Sequence, residues 1–134
     1  MFTVTKTFTF CYGHRLLRDP GKCHHLHGHT VRTSVTVAAE NLDDRGMVCH
    51  FDDLNEKLGT WIKETLDHRT ILMRNDPLAE ALTAAGEDIV LLDVNPTAEH
   101  LAKLVFDHAV SLGFNVHEVE LWESPTSKAV YRKS

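Results

Sequence analysis

The sequence predicts an α+β domain in which two main helices cover one face of a four-stranded antiparallel sheet, in the order ββααββ. Three observations predict it. Apolar residues alternate with a period of two near both ends of the chain. Between those stretches, apolar residues recur at helical spacing behind recognisable cap residues. No internal repeat, linker or low-complexity segment interrupts the 134 residues, so residues 1–134 read as one domain, long enough to bury a core without disulfide staples.

The first strand is Phe-Thr-Val-Thr-Lys-Thr-Phe-Thr-Phe over residues 2–10, with Phe2, Val4, Phe8 and Phe10 on one face and threonines on the other. Continuing that parity reaches Tyr12 and His14. A wide connection from Leu16 to Leu26, turning at Asp19-Pro20-Gly21, then returns antiparallel. The second strand is the alternating run His29 to Val37, closed by Asn41 to Gly46. Phe51-Asp-Asp-Leu opens a helix capped by Asp52 or Asp53, with Glu56 completing a capping box and Leu54, Leu58, Trp61, Ile62 and Thr65 as its apolar stripe. It ends near Leu66-Asp67-His68. Leu78, Ala81, Leu82 and Ala85 form a short helix stopped by Gly86, and Ile89 to Leu92 is a buried extended segment. Thr97 caps the second long helix, Glu99 lies in its first turn, Leu101, Leu104, Val105, His108 and Leu112 face inward, and Gly113 ends it. His117 to Glu123 alternates again, turns at Ser124-Pro-Thr-Ser and resumes as Lys128 to Arg132. Four strands leave two open edges, which predicts an oligomer joined edge to edge.

Composition narrows the function. A net charge of −5 with 14 scattered Lys and Arg lacks the basic stripe that nucleic acid requires. Local groups such as Arg15, Arg18 and Lys22, or Lys128, Arg132 and Lys133, suffice only for a small anion. The longest strongly apolar run, Ile89 to Leu92, is far below the roughly 20 residues of a membrane span. Three cysteines without framework spacing, and an N-terminus without a signal pattern, predict a reducing, cytoplasmic setting. Cys11 and Cys49 read as small buried apolar residues.

The chemistry concentrates in Cys23-His-His-Leu-His27-Gly-His29, and five of the ten histidines fall between positions 14 and 29. On a strand, His27 and His29 share the face of Val31, Val35 and Val37, roughly 7 Å apart at Cα, so both imidazoles reach one metal ion. His14, leaving the Phe face of the first strand, is the third ligand. Three neutral imidazoles with an open fourth position are a catalytic zinc pattern, whereas structural zinc sites are four-coordinate and rich in thiolate. Gly28 suits a place of close backbone approach, and His24 and His25 read as loop or rim residues. Residues alone leave two groups ambiguous. Asp67-His68 reads first as a helix end, with His68 favourable at the C-terminal dipole. Glu123 reads either as a solvated charge beside Glu118 and Glu120 or, by its parity with Val119 and Leu121, as a carboxylate aimed into a pocket.

Phe10-Cys-Tyr-Gly-His14-Arg-Leu, Cys23-His-His-Leu-His27-Gly-His29, Gly46-Met-Val-Cys-His-Phe-Asp52, Leu66-Asp67-His68, Pro96-Thr97-Ala-Glu99 and Leu121-Trp-Glu123-Ser together resemble the 6-pyruvoyltetrahydropterin synthase superfamily. They occur in order over nearly the whole chain. Among its branches the sequence is most similar to bacterial 6-carboxytetrahydropterin synthase of the queuosine pathway, where Cys-x-x-Leu-His-Gly-His is typical. The resemblance implies the tunnelling fold, in which trimers of the ββααββ unit close a barrel and two trimers stack as a hexamer. It implies Zn2+ on His14, His27 and His29, Cys23 as base, the Asp67-His68 pair as its catalytic partner, Glu123 as pterin anchor, and Thr97 and Glu99 as substrate-binding residues. Three positions depart from the family pattern: His50 in place of Asp, Thr30 in place of Asn and His100 in place of Asn. His50 thereby becomes a possible extra metal contact.

The implied reaction converts 7,8-dihydroneopterin triphosphate to 6-carboxy-5,6,7,8-tetrahydropterin, acetaldehyde and triphosphate. Zinc would acidify the substrate side-chain hydroxyls, the Cys23 thiolate would accept a carbon-bound proton, and Asp67 would orient His68 as a proton relay. The pterin's amino group and ring N–H form a two-donor edge that the Glu123 carboxylate accepts bidentately. Two alternatives stand beside this reading: a 6-pyruvoyltetrahydropterin synthase, which keeps the three-carbon side chain, and a non-catalytic zinc- or pterin-binding protein. A folate-related aldolase-like branch carries glutamate where Cys23 stands, which counts against it.

Overall fold

The computed structural model describes residues 1–134. Its strands are β1 (Phe2–His14), β2 (His27–Ala39), β3 (Arg69–Met73), β4 (Ile89–Leu92), β5 (Val116–Ser124) and β6 (Ser127–Arg132). The helices are α1 (residues 51–66), α2 (Leu78–Ala84) and α3 (Ala98–Ser111). The strands form one sheet in the order β4-β3-β1-β2-β5-β6.

This corrects the expected four-stranded antiparallel sheet. The β1-β2-β5-β6 part is antiparallel, but β3 pairs parallel with β1 and β4 parallel with β3, so the sheet is mixed and has six strands. Residues 69–73 escape a period-two reading because Ile71 and Leu72 are both fully buried. A strand flanked by parallel neighbours reads as a continuous apolar run, not an alternating one. Ile89–Leu92 is extended as expected, yet it is a partly exposed edge and not a buried segment.

The core lies between one sheet face and the two long helices. Phe8, Phe10 and Tyr12 of β1, Val31 and Val35 of β2 and Val119 and Leu121 of β5 meet Leu58, Ile62 and Leu66 of α1 and Leu101 and Val105 of α3. The face opposite is polar, with hydroxyl pairs Thr5–Thr36 and Thr7–Ser34 bridging β1 and β2 at 2.8 Å each. Phe2, the first residue of β1, is half exposed.

Helix α1 winds mostly in wide i→i+5 turns, closed at its end by the Asp67 N–H donating to the Ile62 carbonyl at 2.9 Å. Its buried residues, Leu54, Leu58, Ile62 and Leu66, repeat every fourth position. An α-helix would rotate such a stripe away from the sheet, whereas wider turns keep it facing inward. The cap is also corrected: His50, not Asp52 or Asp53, is the N-cap, its Nδ1 accepting from the Asp52 N–H at 3.1 Å. Thr97 caps α3 as expected, its hydroxyl accepting from the His100 N–H at 3.2 Å. Gly113 follows α3 at φ 98°, and the Phe114 N–H reaches back to the Ala109 carbonyl, a closure that needs the left-handed conformation glycine adopts without strain.

Candidate metal centre and substrate cleft

The antiparallel register of β1 and β2 places Tyr12 opposite His29, Gly13 opposite Gly28 and His14 opposite His27. Side chains directly across such a pair lie side by side, and His29, two residues beyond His27, joins the same face. Gly13 and Gly28 meet on the other face. A Cβ on Gly28 would come within 3.0 Å of the Tyr12 carbonyl oxygen, so the close crossing of the two strands uses bare backbone.

The three imidazoles converge, with ring centroids 4.6 to 5.1 Å apart. His14 is buried, and its Nδ1 donates to the Pro96 carbonyl at 2.7 Å; the His27 Nδ1 donates to the His25 carbonyl at 2.6 Å. A carbonyl only accepts, so both Nδ1 atoms carry the proton and both Nε2 atoms present lone pairs. Those Nε2 atoms face each other at 3.1 Å. The third, His29 Nε2, is buried without a hydrogen-bond partner. Three inward-facing nitrogens, two with opposed lone pairs and one orphaned, fit a cation between them. Zn–N bonds of about 2.0–2.1 Å in tetrahedral geometry put ligand nitrogens roughly 3.3 Å apart. Burial, the largest influence on His14, lowers its pKa and keeps it in the neutral form a metal requires.

Glu123 reaches this centre from β5. The β5–β6 register shifts between Trp122 and Ser124, so Glu123 sits at an irregularity that frees it from the ladder. Its Oε1 lies 3.7 Å from His29 Nε2. Glu123 and Glu99 line one cavity of about 330 Å³ together with Ala98 and residues of the β5–β6 hairpin. Thr97, at the start of the same helix, is half buried and has its hydroxyl oxygen engaged in the cap. Tyr12, brought to this face by the parity of β1, packs edge-on against His14 with centroids 5.0 Å apart, and its buried hydroxyl has no partner. Burial first, and the Glu123 carboxylate second, raise its pKa, so it remains a neutral phenol.

The Asp67-His68 pair lies elsewhere. Asp67 Oδ1 accepts the Cys11 N–H at 3.0 Å and stands 3.0 Å from His68 Nδ1. The Cys11 N–H, chief among its partners, holds the Asp67 pKa below the usual carboxylate value. Cys11 has the opposite parity to Tyr12 and His14, so the pair belongs to the other face of the sheet. Cys23, half buried in the turn Lys22–His24, joins neither the three-histidine cluster nor this one. Its carbonyl accepts the Leu16 N–H at 2.9 Å, closing the base of the β1–β2 connection. Asn95 pins the same connection by exchanging two 3.0 Å hydrogen bonds with the Leu17 backbone.

Other expectations resolve differently. Cys11 and Cys49 are only partly buried, and Cys11 has polar partners. His50 is spent on the α1 cap and His100 Nδ1 on the Asn95 carbonyl at 2.7 Å; neither joins the three-histidine cluster. His24 and His25 are exposed. Of the cations weighed as an anion cluster, Arg15 pairs with Asp76, Lys128 with Glu120 and Arg132 with Glu118. The signals sequence reasoning missed were Cys11 and Tyr12, both flanking the ligand motif in Phe10-Cys-Tyr-Gly-His14.

A profile of the family described as 6-pyruvoyl tetrahydropterin synthase matches residues 3–134. A 6-carboxy-5,6,7,8-tetrahydropterin synthase of Rickettsia bellii is 33% identical over 132 residues, spanning 93% of this chain and 96% of its own. One from Aquifex aeolicus is 34% identical over 158 aligned positions, with 97% of each chain covered. Among solved structures, an uncharacterized protein of Wolinella succinogenes superposes with a TM-score of 0.82 at 28% identity over 99% of this chain and 98% of that one. The Caenorhabditis elegans 6-pyruvoyl tetrahydropterin synthase gives 0.72 over 99% of this chain and 96% of that one at 23% identity, a likeness of fold. With the family profile spanning nearly every residue and the three-histidine cluster built on its first two strands, this chain belongs to the 6-pyruvoyl tetrahydropterin synthase family.

Proposed function

We propose that the protein is a zinc-dependent lyase that converts 7,8-dihydroneopterin triphosphate to 6-carboxy-5,6,7,8-tetrahydropterin, acetaldehyde and triphosphate in 7-deazapurine biosynthesis. Relatives named for that product, at about one-third identity over nearly full length, support the reaction. The observation that carries the site is the trio of inward-facing imidazole nitrogens, with Glu123 at its mouth. His14, His27 and His29 would hold the zinc, and bound there it supplies Lewis acidity to the substrate's side-chain hydroxyls.

The chain's own groups do the rest. Glu123 accepts the amino and ring N–H donors of the pterin, fixing the ring at the cavity it shares with Glu99. Thr97 orients the start of α3 beside that cavity. The Cys23 thiolate takes the carbon-bound proton, and Asp67 holds the His68 imidazole as the relay. Within one chain the pair and the three-histidine cluster occupy opposite sheet faces. The relay therefore closes between copies: Cys23 of one with Asp67 and His68 of another, in a homohexamer built as a dimer of trimers. A cytoplasmic enzyme without nucleic-acid or membrane partners fits the acidic charge, and no helix is long and apolar enough to cross a membrane.

Incubation with 7,8-dihydroneopterin triphosphate tests the reading. Acetaldehyde and triphosphate should appear together, with a 6-carboxy product by mass. A product that keeps all three side-chain carbons would assign 6-pyruvoyltetrahydropterin synthase activity instead, and an unaltered substrate would leave only binding. Metal analysis should find about one zinc per three-histidine site. Replacing both His27 and His29 by Ala should remove the zinc of this site and turnover together.

A further inference from the structure

We propose a second metal site, for a thiophilic divalent cation such as Zn2+ or Co2+, formed by Cys11, Asp67 and His68 on the sheet face opposite the three histidines. Cys11 Sγ lies 3.7 Å from His68 Nδ1, and His68 Nδ1 lies 3.0 Å from Asp67 Oδ1. Bond lengths of about 2.3 Å to sulfur, 2.0–2.1 Å to nitrogen and 2.0–2.2 Å to oxygen put tetrahedral ligand atoms roughly 3.3–3.6 Å apart. These two spacings bracket that range and all three ligand atoms lie within 4.8 Å of one another, so one ion fits between them after small shifts of the side chains.

The backbone builds this convergence. Adjacent residues of an extended chain aim their side chains oppositely, yet Asp67 and His68 meet. His68 stands at φ 61°, a left-handed conformation uncommon for a residue with a side chain, and the Cys11 main chain holds it there: the His68 N–H donates to the Cys11 carbonyl at 2.7 Å while Asp67 accepts the Cys11 N–H. A cleft of about 410 Å³ opens beside Cys11, His68 and Thr70, leaving room for a water as fourth ligand. The charge balance is simple: the ion displaces the thiol proton, the neutral imidazole keeps its one proton on Nε2 and offers the Nδ1 lone pair, and the two positive charges meet one thiolate and one carboxylate. Occupancy takes His68 and Asp67 out of proton transfer, so excess metal inhibits; this consequence alone rests on the relay reading above.

Cobalt titration of the metal-free protein tests the site without turnover. The three-histidine centre has no sulfur ligand, so a thiolate-to-cobalt charge-transfer band reports the second site. The wild type should bind two equivalents, the second with that band. Cys11→Ser and His68→Ala should each bind one equivalent without it, while Cys23→Ala keeps both. His68 is 79% exposed, so its variant tests the site even if Cys11→Ser misfolds. Saturation at one equivalent in the wild type, or a band that survives Cys11→Ser, overturns the proposal. In turnover, excess zinc should slow the wild type and spare Cys11→Ser; two bound equivalents without inhibition would overturn the inhibitory consequence and leave the site standing.

Discussion

If Glu123 anchors the pterin as proposed, this one side chain decides recognition that a metal cannot supply, because zinc accepts many vicinal diols. Glu123→Gln keeps the size but turns an amide donor toward one of the two pterin donors. Loss of the charge-assisted pair plus the mismatch should cost about 3–5 kcal/mol, or roughly 10² to 10³ or more in kcat/KM, with metal content unchanged. Glu118 and Glu120 are the controls. They lie on the opposite face of β5, paired with Arg132 and Lys128, and their Gln variants should stay near wild type. Equal losses in all three variants would move the pterin anchor elsewhere. At this scale the convergence of the three histidines was readable because a strand's period is fixed, so His27 and His29 had to share a face and parity carried His14 to the same one. The lone-pair geometry was not readable. It depends on the Pro96 carbonyl, brought to His14 across 82 positions of sequence.

The elements divide the same way. Strands β1, β2, β5 and β6 and the cap of α3 were legible because alternation and a Thr cap are local signals. Strand β3 was not, since its five residues bury both faces and carry no period. One ion pair ties these levels together. Arg15, just past β1, donates through Nε to Asp76 Oδ2 at 2.8 Å, while Asp76 Oδ1 accepts the Leu78 N–H at 2.9 Å at the start of α2. The Asp76 side chain is fully enclosed, so Arg15→Ala strands a buried carboxylate and should cost about 3 kcal/mol of stability, at the low end for a broken buried pair because the Leu78 contact remains. The Arg15 hydrogen bonds, as the largest influence, lower the folded-state pKa of Asp76 below its unfolded value near 3.9. The stabilisation is therefore complete above about pH 4 and disappears as the pH falls through the folded pKa. Denaturant unfolding at neutral pH and near pH 3 should show the wild-type advantage over Arg15→Ala shrinking with acid; an advantage independent of pH would assign the effect to packing of the arginine stem.

For the whole molecule, β4 and β6 are open edges, and the proposed relay between Cys23 and Asp67-His68, which stand apart within one chain, needs a second copy. Cys23→Ala should keep zinc but lose turnover by about 10² to 10⁴-fold, as expected when a proton acceptor is removed. His68→Ala should lose it similarly. If each relay joins Cys23 of one copy to His68 of its neighbour, co-expressing the two variants rebuilds intact sites wherever a His68→Ala copy supplies the cysteine and a Cys23→Ala copy the histidine. Random assembly at equal expression gives that pairing in about a quarter of sites, so activity should return to about a quarter of wild type. Parent proteins mixed without subunit exchange should stay inactive. Mixed hexamers, verified by distinct tags on the two variants, that show only the summed activity of the parents would place the relay within one chain or remove His68 from it, and would leave the open edges as the sole reason for assembly.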